Sequence, residues 1–326
     1  MLDKEKMSAA ELGALWMTFQ SKTMIIRVLD YFIEKSVDQE ARDLMSDLRD
    51  KLQQMVTEII QMFEEEGAVI PNGFTKEDVH LDAPQLYENG FDIMLCRVLK
   101  EISMGSYVLH MTTAYRRDII QLYRKLTNIT QEYYDYFTTY LIENDYLSRP
   151  NYTLMPKTVD YIHNKSYMKG TNIFGHKRDI NTVEFGILYH SIETNITGMQ
   201  LMKGFSQCSK DEEVRKYFTI GQELSKEIVR STEVLLLESN IKPPATPGGT
   251  VTNSTEAPFS EKMMIHCAFL LGGFSLGAQG FSESFILRND VLTKTAVLGK
   301  DTYEFLLKGA KLMMSKGWLE EPPKMY

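Results

Sequence analysis

A chain that can be laid on itself residue for residue is built from fused copies of one unit, and this one can. Shifted by 173 positions, Glu11-Leu12-Gly13 falls on Glu184-Phe185-Gly186, Phe32 on Phe205, Ser36 on Ser209, Asp38 on Asp211, Arg42 on Arg215 and Pro71 on Pro244. No gap is needed across that stretch. A shift of 172 then carries Arg116 and Asp118 onto Arg288 and Asp290, Glu132 onto Glu304, and Pro150 onto Pro322. Each copy of about 140 residues is large enough to hold a core of its own, so the pattern is that of a duplicated domain rather than a solenoid. We therefore expect a first domain over 1–150, a linker over 151–180 and a second domain over 181–326.

Each copy reads as four helices. Apolar residues at 41, 44, 45, 48, 52, 55, 56, 59, 62 and 63 keep the three-and-four spacing of one helix face. Leu12, Leu15, Trp16 and Phe19 repeat the spacing, as do Met94, Leu95, Val98, Leu99 and Ile102, and then Ile119, Leu122, Tyr123 and Leu126. No sustained period-two alternation competes, so the fold class is all-α. Helix starts are marked at matching places. Ser8-x-x-Glu11 and Asn181-x-x-Glu184 have the form of capping boxes, and Ser36-x-x-Gln39 and Ser209-x-x-Glu212 have the same form, which would satisfy the orphan amides of a first turn. Capping accounts for the paired acids Glu11 and Glu184 without chemistry. Between the second and third helices, Gly67 to Pro84 and Asn240 to Pro258 gather Pro, Gly, Asn, Ser and Thr, too long for a tight hairpin. Two helical hairpins joined by a long middle connection make the ferritin-like bundle arrangement.

Three phrases carry a resemblance: Gly204-Phe205-Ser206-Gln207, the run Val251 to Met264 containing Asn253-Ser254-Thr255-Glu256-Ala257-Pro258-Phe259, and Gly317-Trp318-Leu319-Glu320-Glu321-Pro322-Pro323. With them the chain resembles an uncharacterised family of endospore-forming bacteria whose members are tandem ferritin-like four-helix bundles, related to spore-coat proteins of the coat F type. The resemblance implies two such bundles and a coat-like setting. It implies no activity.

Charge narrows the partners. A net charge of −8 removes the broad basic surface that affinity for a phosphate backbone needs, so nucleic acid is not expected as a partner. The charged start Met1-Leu2-Asp3-Lys4-Glu5-Lys6 is unlike a secretory signal, and Cys96, Cys208 and Cys267 are widely spaced, with no CxxC. The expectation is a cytoplasmic protein, spore-associated by resemblance, whose cysteines are small buried hydrophobes.

Reactive constellations are sparse. The di-iron pattern of a ferritin-like bundle needs Glu-x-x-His on two helices, and the only match is Glu77 to His80 in a connecting loop. His190-x-x-Glu193 reverses the order on one helix face; with His266 and Glu223 or Glu227 it would make a degenerate iron, manganese or zinc site, the weakest of the readings, since His190 aligns with Met17 and Glu193 with Gln20. No nucleophile elbow or phosphate loop occurs, and Thr246-Pro247-Gly248-Gly249-Thr250 reads as a turn. No catalytic residue and no cofactor is expected.

Met263 to Ser282 is twenty residues without a formal charge, long enough for a membrane span. Its first-copy counterpart carries Arg97, Lys100 and Glu101, so we expect no span but the most buried helix of the chain. Glycine costs about 1 kcal/mol relative to alanine inside a helix, and Gly273, Gly277 and Gly280 are therefore expected to form a flat face for a closely packed neighbour. In the linker, Tyr152, Tyr161, Tyr167 and Phe174 are expected to dock onto the bundles as a strap.

Three functions are carried forward. The first is a non-enzymatic structural or assembly protein that packs with itself, as a homo-oligomer, or with other coat-like proteins. The second is a binding module holding a small apolar ligand in a bundle interior or in the cleft between copies, its lining supplied by some of the 19 methionines. The third is the degenerate metal protein.

Overall fold

The computed structural model describes residues 5–88, 90–170, 177–245 and 249–325. Residues 246–248 of the expected turn and Phe174 of the linker lie outside them. Eight α-helices lie among the described residues: α1 (Ala9–Lys35), α2 (Gln39–Glu65), α3 (Phe91–Thr112), α4 (Arg117–Glu143), α5 (Thr182–Cys208), α6 (Glu212–Leu237), α7 (Glu261–Glu283) and α8 (Asn289–Ser315). Helix lengths of 27, 27, 22 and 27 residues in the first copy recur as 27, 26, 23 and 27 in the second. Strands are absent from the described residues, which hold only two isolated bridges.

In each copy two helical hairpins, α1–α2 and α3–α4 or α5–α6 and α7–α8, are joined by a long crossover, and α2 packs on α4 as α6 packs on α8. Short loops force the hairpin partners to be antiparallel. The copies meet through α3 against α7, flanked by α3 on α5 and α1 on α7. Their crossovers also pair. Val79 bridges Phe259 and Tyr87 bridges Val251, and adding 172 to the first-copy member of either pair gives the second-copy member of the other. The hydrogen bonds obey the same rule: His80 N to Pro258 O at 2.8 Å is matched by Thr252 N to Leu86 O at 3.0 Å, and Ser260 N to Asp78 O at 3.0 Å by Glu88 N to Thr250 O at 2.8 Å. A pseudo-twofold axis therefore runs between the crossovers.

Two separate cores do not form. One apolar cluster fills the first bundle and continues through Leu201, Phe205, Phe218, Met263 and Met264 into one end of the second, while a small cluster of Leu188, Ile192, Leu236 and Val291 holds the other end. Tyr87 is the joint: it stacks on Phe91 at 4.1 Å and donates to Leu201 O at 2.9 Å, and a Cβ on Gly204 would lie 2.5 Å from its hydroxyl. The close approach between copies is made at Gly204.

It is not made at Gly273, Gly277 and Gly280. A Cβ at any of the three meets nothing within 4 Å, and all three are exposed. The buried residues of α7 end at Ala268, so it is not the most buried helix; past that point its inner side borders a hollow described below. By length and composition α7 could cross a membrane, with mean hydropathy 1.3 over its most apolar window. We predict that Gly277→Leu leaves the fold and oligomeric state intact and stabilises by up to about 1 kcal/mol through helix propensity. A clear fall in melting temperature would restore the packed-glycine reading.

The helix starts divide into two kinds. Ser8 accepts from Glu11 N at 3.3 Å while Glu11 accepts from Ser8 N at 2.8 Å, and Asn181 and Glu184 do the same at 2.9 and 3.2 Å. Ser36 and Ser209 do not cap the helices that follow. They end α1 and α5, their amides bonded to Phe32 O and Phe205 O, and the N-caps of α2 and α6 are Asp38, accepting from Ala41 N at 2.8 Å, and Asp211, accepting from Glu213 N at 2.8 Å. A carboxylate two residues further on reaches the free amides that the serines, already closing the preceding helix, cannot.

The linker strap does not dock as expected. Tyr167 lies under the Arg178 guanidinium, 4.0 Å from its ring centroid, but Tyr152 and Tyr161 are 87% and 76% exposed.

Candidate functional site

The sequence-level metal candidates do not converge. His190 donates through Nε2 to Glu101 Oε2 at 2.9 Å, and Glu193 accepts from Arg97 Nη1 at 3.0 Å. Glu227 accepts from Ser231 at 2.8 Å on the outside of α6, Glu223 lies near Lys226, and His266 sits in the first copy's territory, its ring 4.9 Å from that of Phe74. No group of three or more metal-ligating side chains is assembled among the described residues. Burial pushes His266 down to about 4, so its ring stays neutral. Cys96, Cys208 and Cys267 are all buried free thiols, and burial pushes Cys208 and Cys267 up to about 12. They are poor nucleophiles at neutral pH.

The centre of the first bundle holds two amines instead. Lys22 donates to Ser103 Oγ at 3.0 Å beneath the Tyr107 ring, and Lys100 is wholly buried with no hydrogen-bond partner for its Nζ. Burial pulls Lys100 down to about 8 and Lys22 well below its ordinary value, with the charge of Lys100 adding to the effect at Lys22. With Ile25, Leu48, Leu52, Ile59, Tyr107 and Tyr123, all buried, the two amines fill the bundle.

The second bundle carries smaller residues at each corresponding place. Gly198 stands for Ile25, Gly221 for Leu48, Ser225 for Leu52 and Thr232 for Ile59; Gln279 stands for Tyr107, Thr295 for Tyr123, Asn195 for Lys22 and Gly272 for Lys100. All eight line a partly open cavity of about 130 Å³ between α5, α6, α7 and α8, with Glu101 and Val98 of α3 on one side. It lies between the two apolar clusters of the second bundle. Its walls are mainly apolar, from Leu188, Met202, Ile228, Leu271, Phe274 and Phe305, interrupted by hydroxyls and amides. His190, 47% exposed, stands at the rim.

Beside that rim lies a network that single-sequence reading missed. Arg97, buried between the copies, bonds Glu193, Tyr134 Oη at 2.8 Å and Thr138 Oγ1 at 3.0 Å, and lies 3.4 Å from Glu101 Oε1. The Glu101 carboxylate holds His190 above its ordinary pKa, whereas burial raises Glu193 despite Arg97. Arg97 and Glu101 were visible only as charges that interrupt an apolar helix. The size loss between copies, by contrast, was readable from the internal alignment.

Comparison with known proteins adds the following. A family model described as "Protein of unknown function (DUF3231)" matches residues 1–159 and again 168–326. A crystal structure of a candidate spore coat protein from Bacillus halodurans C-125 is similar at 17% identity, with a TM-score of 0.42, covering 46% of this chain and 97% of its own. No curated protein matches.

Proposed function

The chain belongs to that family, present as two tandem repeats, and since the family has no known function we propose from the geometry alone that this member is a binding module for a small, largely apolar molecule. The ligand sits inside the second bundle. The observation that carries the reading is the eight-position exchange of large side chains for small ones around one hollow, in a chain whose other copy is filled. Close-packed interiors do not leave such voids without a loss of stability, because the lining atoms lack partners. A water needs about 10–15 Å³ by the same measure, so the space suits a molecule of roughly ten non-hydrogen atoms. The first bundle, plugged by its lysines and tyrosines, serves as the rigid half against which α3 closes the cavity.

Native mass spectrometry of the full chain, purified without organic solvent, tests this. A species above 37.6 kDa that reverts to the bare chain on denaturation is the expected result. A bare chain throughout, with no thermal shift from any apolar compound of six to ten carbons, would sink the proposal.

Assembly in a coat-like layer, the expectation drawn from the resemblance, is the second reading, and one observation favours it. Tyr152, Leu154, Met155, Val159 and Tyr161 protrude together, each at least 76% exposed. Residues 149–169 carry a net charge of +3, against −11 for the remainder of the chain. An apolar, basic loop on an acidic body fits the body of a second copy. Sedimentation velocity over a concentration series should show self-association that is lost when Tyr152, Leu154, Val159 and Tyr161 are changed to serine. A wild-type monomer at every concentration would remove this reading.

A further inference from the structure

The chemistry of the cavity wall narrows the ligand beyond its size. Among the described residues that line it, none is lysine or arginine, and the ionisable ones are Glu101, Glu283 and His190. Arg97 is shared: it is hydrogen-bonded to Glu193, Tyr134 and Thr138 and stands 3.4 Å from Glu101 Oε1. Counting Glu193 with the rim, three carboxylates face one guanidinium and one imidazole, so the site is net negative whether or not His190 is protonated. Glu101 is 7% exposed; its Oε2 meets His190, and its Oε1 is buried, 3.4 Å from Arg97 Nη1 but with no hydrogen bond. A buried carboxylate oxygen whose neighbouring cation stands at 3.4 Å without a hydrogen bond has lost part of the solvation it had in water, and a donor brought into the site restores it. Gln279 is not that donor, because its amide is already held by Glu283 Oε1 at 2.9 Å and by the carbonyl of Thr295.

Resting on the ligand-binding reading above, we infer that the ligand is an amphiphilic amine: an aliphatic or aromatic body of about eight carbons in the hollow, and a protonated amine held by the Glu101 and Glu283 carboxylates that line it. Fatty acids and phosphorylated lipids are disfavoured, since their anionic heads would meet Glu101 and Glu283, while the neighbouring His190 and Arg97 are already held by Glu101 and Glu193. Neutral alcohols can donate to Glu101 but gain nothing from the net charge.

Isothermal titration of the full chain at pH 7 with n-octylamine, n-octanol and n-octanoate separates these cases, because the three share one apolar body. The expected order is amine, then alcohol, then acid, with the amine at least tenfold tighter than the acid. Glu101→Gln should weaken the amine about tenfold, the equivalent of roughly 1.4 kcal/mol, and leave octanol within a factor of about three. Glu283→Gln, which changes a less buried carboxylate, gives a second reading should Glu101→Gln fail to fold, and should also weaken the amine and spare the alcohol. Octanoate equal to or tighter than octylamine would overturn the amine assignment while leaving the ligand cavity standing, as would an amine affinity indifferent to both substitutions. Failure of all three to bind would remove the cavity reading and this inference with it.

Discussion

Replacing Glu184 with alanine is expected to lower the unfolding free energy by about 3–5 kcal/mol, the range seen when one partner of a buried ion pair is deleted. The carboxylate is wholly buried and does three jobs. It closes the capping box on Asn181, it takes Arg178 through two bonds of 2.7 and 2.6 Å, and it accepts from Leu287 N at 3.1 Å and Arg288 N at 3.0 Å at the start of α8. Alanine would leave those amides without an acceptor and the guanidinium with only the carbonyls of Tyr167 and Asp179, and α5 would lose its tie to α8. Glu11 makes the matching tie between α1 and α4, through Tyr115 N at 2.8 Å and Arg116 N at 2.7 Å. The pH dependence has a definite sign. Burial alone would raise the Glu184 carboxyl, but Arg178 and the amides of Asn181 and Arg288 outweigh it and hold the carboxyl below its ordinary 4.5. A depressed carboxyl stabilises fully above its unfolded value and loses that contribution as the pH falls through the folded value. The gap in melting temperature between wild type and Glu184→Ala should therefore be widest near neutrality and shrink below about pH 4. Equal melting temperatures at pH 7 would show that the clamp contributes nothing.

The second large effect is expected from refilling the hollow with the first copy's own residues. Ser225→Leu and Thr232→Ile restore the side chains of Leu52 and Ile59, which pack without exposure in the first bundle. Each buried methylene is worth about 0.8 kcal/mol, and cavity-filling substitutions commonly return 0.5–2 kcal/mol, so the pair should stabilise by roughly 1–4 kcal/mol. Binding of an eight-carbon probe should fall more than tenfold, because the probe and the new side chains compete for one volume. Thermal unfolding and titration on the same protein check both halves. A lower melting temperature together with unchanged affinity would mean that the hollow is neither a stability deficit nor a ligand site.

How much of this was legible beforehand depends on the range of the interaction concerned. Ser8 with Glu11 and Asn181 with Glu184 were readable because a capping box closes within four residues. Ser36 and Ser209 were misassigned because each lies two residues from an aspartate that can cap as well, and the choice depends on where the preceding helix stops. The glycines of α7 and Gly204 of α5 look alike as letters. Whether a glycine admits a neighbour depends on which helix is beside it, and Tyr87 arrives at Gly204 from more than a hundred residues away. The exposed loop around Tyr152 to Tyr161 was misjudged for a related reason: composition marks aromatic side chains as buriable without saying that a surface lies within reach.

Periodicity, caps and self-alignment are local or comparative properties of the chain, and they were sufficient for eight helices, two copies and the two long crossovers. The shared core, the pairing of the crossovers about an axis, the Arg97 network between copies and the cavity came only from the folded molecule. Each of these is set by side chains far apart in sequence, whose contacts exist once the helices have been placed. Smaller residues in the second copy could equally have let its helices collapse inward; the backbone positions of α5 to α8 leave the space open instead.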